Sequence, residues 1–373
     1  MSTSMPAIVS RPFLQVIGAA VLAVTFSVAR YPPGPSISAN GIVGDWCSVS
    51  RVPALLGQLK DPFVGLNPEW PLAENGEQGN LFNATRWRIL PPLLAHLLGL
   101  SPTLFLTLPM LGSCLLVAVA AHYAQLNTSH GGITALVAVL TATSSAFFVS
   151  ADWIQFDAIY IIALLVFTFS PNSVALWAAC CLGPWVDERF LLILPACVFL
   201  RYARTGRLPF TLAILGIAPY ALVRLLAACL GDGSLVYQLR LQNALLSSYL
   251  PRVPLGWWMG FRAAWPLIGV GAAAAWFALP RKAKILYCLA LGVGLAAVVF
   301  MACDISRSIA LLLPFLVSGA CAKIRWPFSR GLGSGLALMA ILNLVLPASH
   351  ILLKARIPIG QWEYQVHLPP PAP

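Results

Sequence analysis

The chain has 373 residues, 59% of them hydrophobic and only 9% charged, and its mean hydropathy is +0.82. That apolar share excludes an ordinary water-soluble globular domain. The net charge of +11 matches the Lys and Arg that membrane proteins gather on their cytoplasmic side, and no motif for binding RNA or DNA accompanies it.

In chain order, the apolar runs predict an all-α polytopic membrane protein, a single integral membrane domain over 1–373 with about eleven transmembrane helices. The first, 12–29, follows Arg11 and ends "SVA" before Arg30, like a signal peptide with a small-x-small cleavage site. It is long for that, so an uncleaved signal anchor is expected. A long first extracytoplasmic loop over 30–100, rich in Pro, Gly and Asn, then ends in an amphipathic helix. The other helices are predicted at 101–121, 132–149, 156–170, 173–184, 189–200, 208–230, 263–279, 285–302, 308–321 and 332–348, before an extracytoplasmic Pro-rich tail at 349–373. The segments 173–184 and 189–200 reach only roughly 18 Å across a core of roughly 30 Å, so they are half-helices buried in protein or longer than drawn.

Lys and Arg set the orientation. "RYARTGR" (201–207), "RKAK" (281–284) and "KIRWPFSR" (323–330) share one side under this count. The positive-inside rule makes it cytoplasmic, with the N-terminus inside and the C-terminus outside a plasma (inner) membrane. The acids take no part in that assignment, yet all 12 fall on the outer side or its membrane edge. The cysteines, Cys47 apart, lie in apolar runs where the thiol acts as a small hydrophobe, and no pair has zinc-ligand spacing.

Four stretches hold residue types that carry chemistry. "GIVGDWCSVSR" sets Asp45 beside Trp46 in the first loop, as a general base against an aromatic wall or as a helix cap. "NATRWRILPP" carries Arg86 and Arg88 around Trp87, suited to forked binding of a lipid phosphate at headgroup depth or to interfacial anchoring. "SADWIQFDAIY" holds Asp152 and Asp157; the second stands against an apolar run, where an unpaired carboxylate is costly. "WVDERF" places Asp187, Glu188 and Arg189 together, with Glu188 and Arg189 pointing about 100° apart on a helix and so free to face different partners. "DISRS" offers Asp304 and Arg307, as an i,i+3 ion pair or as a phosphate ligand with its orienting acid.

Asp45, the "RWRILPPLLAHLLGL" stretch, "DERF" and "DISRS" together resemble the C-type glycosyltransferase superfamily, multi-span enzymes that use polyprenyl-phosphate sugars. The paired-acid motif common in that family's first outer loop is replaced here by Asp45–Trp46. The resemblance implies a multi-pass cell-envelope transferase that moves a sugar from a polyprenyl-phosphate donor in the membrane to an acceptor at the extracytoplasmic face, with inversion. It implies carboxylate catalysts among Asp45, Asp157 and Glu188. It implies phosphate ligands Arg86, Arg88, Arg189 and Arg307, supported by Asp152, Asp187 and Asp304, with or without a divalent cation (Mg or Mn). A transporter or flippase of a lipid-linked substrate and an exopolysaccharide polymerase are the competing readings, since both combine many spans with polar residues near the membrane.

Overall fold

The computed structural model describes residues 11–31, 52–64, 87–152, 155–230, 246–247, 250–301, 305–322, 329–352 and 355–358. Its helices are α1 (Arg11–Arg30), α2 (Val52–Lys60), α3 (Leu90–Leu97), α4 (Pro102–Thr128), α5 (Gly131–Ala142), α6 (Ser145–Asp152), α7 (Asp157–Phe169) and α8 (Ser173–Val186). They continue as α9 (Phe190–Thr205), α10 (Phe210–Cys229), α11 (Val253–Phe261), α12 (Trp265–Ala278), α13 (Arg281–Met301), α14 (Ile305–Ser308), α15 (Leu313–Ala320) and α16 (Ser329–Val345). Within the expected tail, β1 (Ser349–Leu352) and β2 (Ala355–Pro358) form an antiparallel hairpin with Ser349 opposite Pro358 and Leu352 opposite Ala355.

Among the described residues five helices are long and apolar enough to cross a membrane, as a multi-pass membrane protein requires: Pro12–Arg30, Pro102–Thr128, Phe210–Cys229, Leu250–Ala278 and Arg281–Val299. The other apolar helices, among them α5, α7 and α8, have 10–17 residues, which is short of a full crossing. The expected helix 132–149 is broken between α5 and α6. There Thr143 Oγ1 donates to Val139 O at 2.8 Å and Ser144 Oγ to Thr141 O at 2.8 Å, hydroxyls that compete for the backbone and end the turn. The expected helix 308–321 instead starts at Ile305 and passes through a 3-10 turn at Ile309–Leu312. Two helices arise where none was expected: α2 in the first loop, and α11, which runs into α12 to complete the span Leu250–Ala278.

The core centres on α7, α9 and α15. Every residue of α15 is buried, and its apolar residues belong to the same buried cluster as Leu164, Phe167, Phe190 and Ala196, each 0% exposed. Helices α1, α10 and α13 lie at the periphery, with only 22%, 17% and 22% of their apolar windows buried; their exposed leucines and valines face the surrounding apolar medium. A Cβ on Gly271 of α12 would meet Phe315 O at 2.0 Å, and one on Gly319 of α15 would meet Leu267 O at 1.9 Å. The two helices cross backbone against backbone, the small-residue packing that stands in for hydrophobic drive inside lipid.

The short helices leave their ends recessed. A Cβ on Gly112 of α4 would sit 3.6 Å from Ile159 and 3.7 Å from Ala158, so the start of α7 lies level with the eleventh residue of α4. The longer helix therefore overshoots that level by about 15 Å. Along this overshoot Leu104 and Leu111 remain exposed, at 55% and 60%, so the molecular surface is still apolar at the depth where α7 begins. Above it sit α2 and α3. Helix α3 buries Pro91, Pro92 and Ala95 and exposes Leu94 and Leu97, at 50% and 70%, beside His96.

Candidate functional site

At this recessed level the chain gathers Asp157, Asp187 and Glu188. Asp157 opens α7, and Asp187, Glu188 and Arg189 form the turn between α8 and α9. Gly183 and Pro184 shape that corner: a Cβ on Gly183 would run into the Phe190 ring at 2.7 Å, so only glycine lets α9 turn back against α8. Asp187 is extended at φ −161°, ψ 128°, which aims its carboxylate back toward the following residues.

The carboxylate is gripped from its own turn. Arg189 Nε donates to Asp187 Oδ1 at 2.9 Å and Nη2 to Oδ2 at 2.7 Å, while the Arg189 backbone N–H donates to Oδ1 at 3.0 Å. Glu188 and Arg189 lie in a turn rather than on the expected helix, and Asp187 and Arg189 fold into a fork. The same Arg189 Nη2 reaches Asp157 Oδ1 at 3.0 Å, and its Nη1 donates to Ser308 Oγ at 3.2 Å. Arg307 closes the group: its Nη2 donates to Asp157 Oδ1 at 2.7 Å and its Nε to Oδ2. Its partner is thus an acid 150 residues away, and Asp304, the neighbour expected to pair with it, lies outside the described residues.

Arg88 completes the set from the segment before α3. Its Nη2 lies 3.0 Å from Asp187 Oδ2 and 3.8 Å from Glu188 Oε1. Trp87 beside it stacks under Arg224 of α10, whose guanidinium carbon is 4.4 Å from the ring centre. That contact ties the end of the first loop to the bundle. Three arginines from three distant parts of the chain thus surround two carboxylates whose side chains are only 2–4% exposed, whereas Glu188 is 34% exposed. Burial raises the Asp187 carboxyl, but the guanidiniums of Arg189, Arg88 and Arg307 outweigh it and hold the group below the usual carboxylate range.

A small cleft opens on this cluster. It has a volume of about 10 Å³, room for one water, and is lined by Leu55 and Gln58 of α2, by Arg88 and Pro92, and by Gln155, Phe156, Asp157 and Asp187. Helices α2 and α3 are joined by a 2.9 Å hydrogen bond between His96 Nδ1 and Leu59 O, and Phe105 of α4 stacks on Phe156 at 5.4 Å. No family model, curated protein or solved structure matches the chain. The site therefore has to be read from its own chemistry.

Of the expected site residues, Asp157, Asp187, Glu188, Arg88, Arg189 and Arg307 converge. Asp45 and Arg86 lie outside the described residues, and Asp152 ends α6 with its side chain outside them. The oxygens of Asp157 and Asp187 accept from the guanidiniums of Arg189 and Arg307, and so hold those arginines in place. Glu188 keeps an accessible carboxylate. Among the described residues no three acids, histidines or cysteines group as metal ligands. With Arg88, Arg189 and Arg307 around both buried acids, the described donor set does not suit a divalent cation.

A second charged centre was not expected. Arg262, between α11 and α12, is 0% exposed and adopts φ +49°, a left-handed backbone that costs a non-glycine residue about 1–3 kcal/mol. Its Nη1 donates to Tyr31 Oη and to Leu346 O, both at 2.8 Å, and its Nη2 to Thr143 O. The rings of Tyr31 and Phe148 lie 5.2 and 5.6 Å from the guanidinium. This arginine clamps the ends of α1, α5 and α16, and α11 carries the connection onward. Cβ atoms on Gly256 and Gly260 would meet Ile305 and Ile309 at 2.9 and 2.1 Å, so α11 seats directly on α14, which bears Arg307.

Proposed function

We propose that the protein is a membrane glycosyltransferase that takes a sugar from a polyprenyl-phosphate donor and passes it to an acceptor hydroxyl at the extracytoplasmic face of the membrane. The observation that carries this reading is the convergence of Arg88, Arg189 and Arg307 on the buried pair Asp157 and Asp187, at a level recessed among apolar helix surfaces. Guanidiniums held in a fork by carboxylates are preorganised for phosphate oxygens, and a water-poor surround strengthens that attraction. The recess suits a phosphate that arrives on a lipid.

In the reaction, Glu188 takes the proton of the acceptor hydroxyl as its oxygen attacks the anomeric carbon. The bond from that carbon to the phosphate oxygen breaks with its electron pair, and the leaving lipid phosphate gathers negative charge that the arginines stabilise. Inversion follows from the single displacement. The test is reconstitution in liposomes with polyprenyl-phosphate sugars, reading release of polyprenyl phosphate. Glu188→Gln is expected to slow release by about 10²–10⁴-fold with donor binding retained; unchanged release would remove Glu188 from the role. A transport reading draws on the apolar helices of 10–17 residues, which resemble the broken helices of transporters. Movement of the intact lipid-linked sugar between leaflets, without lipid-phosphate release, would favour it.

A further inference from the structure

The end of the bundle opposite the ionic cluster carries the reverse charge. A Cβ on Gly294 of α13 would stand 2.7 Å from Leu192 O of α9. Seven residues on along α9 and seven back along α13, the rings of Phe199 and Tyr287 have their centres 6.4 Å apart, so the two helices lie antiparallel in one register. Continued by five residues, that register sets Arg204 at the end of α9 level with Lys282 at the start of α13. Phe210, at the start of α10, packs on the same Phe199 ring at 6.3 Å. One ring thus ties together the starts of two spans, and with them the stretches around Arg207 and Arg281.

The cations gathered here divide into two sets. Arg201 Nη1 donates to Phe167 O at 3.0 Å and to Ser170 O at 2.7 Å, while Arg204 bonds Asn127 Oδ1 and lies over the Phe169 ring. Both fasten α9 to α7 and α4. Arg207, Arg281 and Lys282 are exposed, and their side chains have no hydrogen-bonding or ionic partner among the described residues. Arg281 and Lys282 also stand in the first turn of α13, which holds no acid, against the positive end of its dipole. An anion among these three cations relieves their mutual repulsion. Further along the same helices the surface is apolar and open. Ile285, Leu289 and Val293 form an exposed stripe on α13, about a turn apart, and Phe210 and Ile214 are exposed on α10.

We infer that this end of the bundle binds an anionic phospholipid, its phosphate held among Arg207, Arg281 and Lys282 and its acyl chains laid along the stripe on α13. The cations by themselves suit any phosphate; the apolar stripe that starts three residues after Lys282 commits the site to a phosphate attached to hydrocarbon. The inference stands apart from the transferase reading, since it uses none of the residues placed in that site.

The test is native mass spectrometry of the full-length protein in neutral maltoside micelles, titrated with phosphatidylglycerol or with phosphatidylcholine of the same chains. Each cation beside an anionic headgroup contributes about fivefold. The first phosphatidylglycerol is therefore expected to bind at least about tenfold more tightly than the first phosphatidylcholine, and Arg281→Gln combined with Lys282→Gln to cut that preference by about tenfold or more. Lys60→Gln, on α2 at the other end of the molecule, should leave it unchanged. Equal binding of the two lipids by the wild type, or a preference that survives the double variant or falls as far with Lys60→Gln, would overturn the inference. So would displacement of phosphatidylglycerol by an equal concentration of inorganic phosphate, which would make the site one for free anions. Should the double variant not fold, Arg207→Gln takes its place: a loss of about fivefold supports the site, and no loss refutes it.

Discussion

Replacing Asp157 with Asn tests whether the buried ion pairs hold the site together. Its carboxylate accepts from Nε and Nη2 of Arg307 and from Nη2 of Arg189, at side-chain exposures of 4% for Asp157 and 9% for Arg307. Asn offers one acceptor oxygen and turns an NH2 toward guanidiniums that have only donors. Removing one member of a buried pair costs about 3–5 kcal/mol, because the other charge stays buried without its partner. Here Arg189 keeps its fork on Asp187, and Asp187 Oδ2 stands 3.8 Å from Arg307 Nη2, near enough to shoulder part of the loss. The expected destabilisation is therefore at the lower end, about 3 kcal/mol. It is read by reversible unfolding in mixed micelles titrated with SDS. Asp157→Leu combined with Arg307→Leu removes both charges and is expected to recover at least half of that loss, since apolar replacement of a whole buried pair is often neutral. An Asp157→Asn variant within about 0.5 kcal/mol of wild type, or a double variant that loses the sum of the singles, would refute the reasoning.

Acid should act through Asp187. Its folded carboxyl titrates below its unfolded value near 4, so its contribution is full above that value and is lost as pH falls through the folded one. Thermal midpoints should hold from neutrality to about pH 5 and decline below it, with a shallower decline in Asp187→Asn; equal slopes would contradict this. Gly319→Val drives a side chain into the Leu267 carbonyl, where a Cβ already stands at 1.9 Å, and should cost about 3 kcal/mol or more by the same unfolding titration. Gly269→Ala on the facing helix, with nothing within 4 Å of the new Cβ, should be neutral or slightly stabilising.

Most of the helical layout was legible because apolar runs between polar punctuation carry it: α1, α7, α8 and α10 begin and end within a few residues of expectation. What escaped is instructive. α2 lies in a loop whose Pro, Gly and Asn content masks nine helical residues, and α11 lies just before the expected span 263–279, across Arg262. A lone arginine inside "VPLGWWMGFRAAWPLIGV" was the available signal, since a charge amid 17 uncharged, mostly apolar residues marks an interior partner. The charged stretches were each visible, but their pairing was not. Nothing in local spacing says that Arg307 binds an acid 150 residues earlier, or that Asp187 is held by the residue two places on. Read singly, the acids looked like bases; read together, two of them are already committed to cations.

The Arg262 clamp has a consequence for synthesis. Tyr31 Oη, which accepts from Arg262, itself donates among the carbonyls of Asn343, Leu344 and Leu346, partners up to 315 residues later in the chain. At about 5–20 residues per second, a ribosome takes roughly 15–60 seconds to make that stretch. For that time the end of α1 waits without this fastening, which the residues at the end of α16 supply. A truncation before residue 343 would therefore loosen the N-terminal end of the molecule.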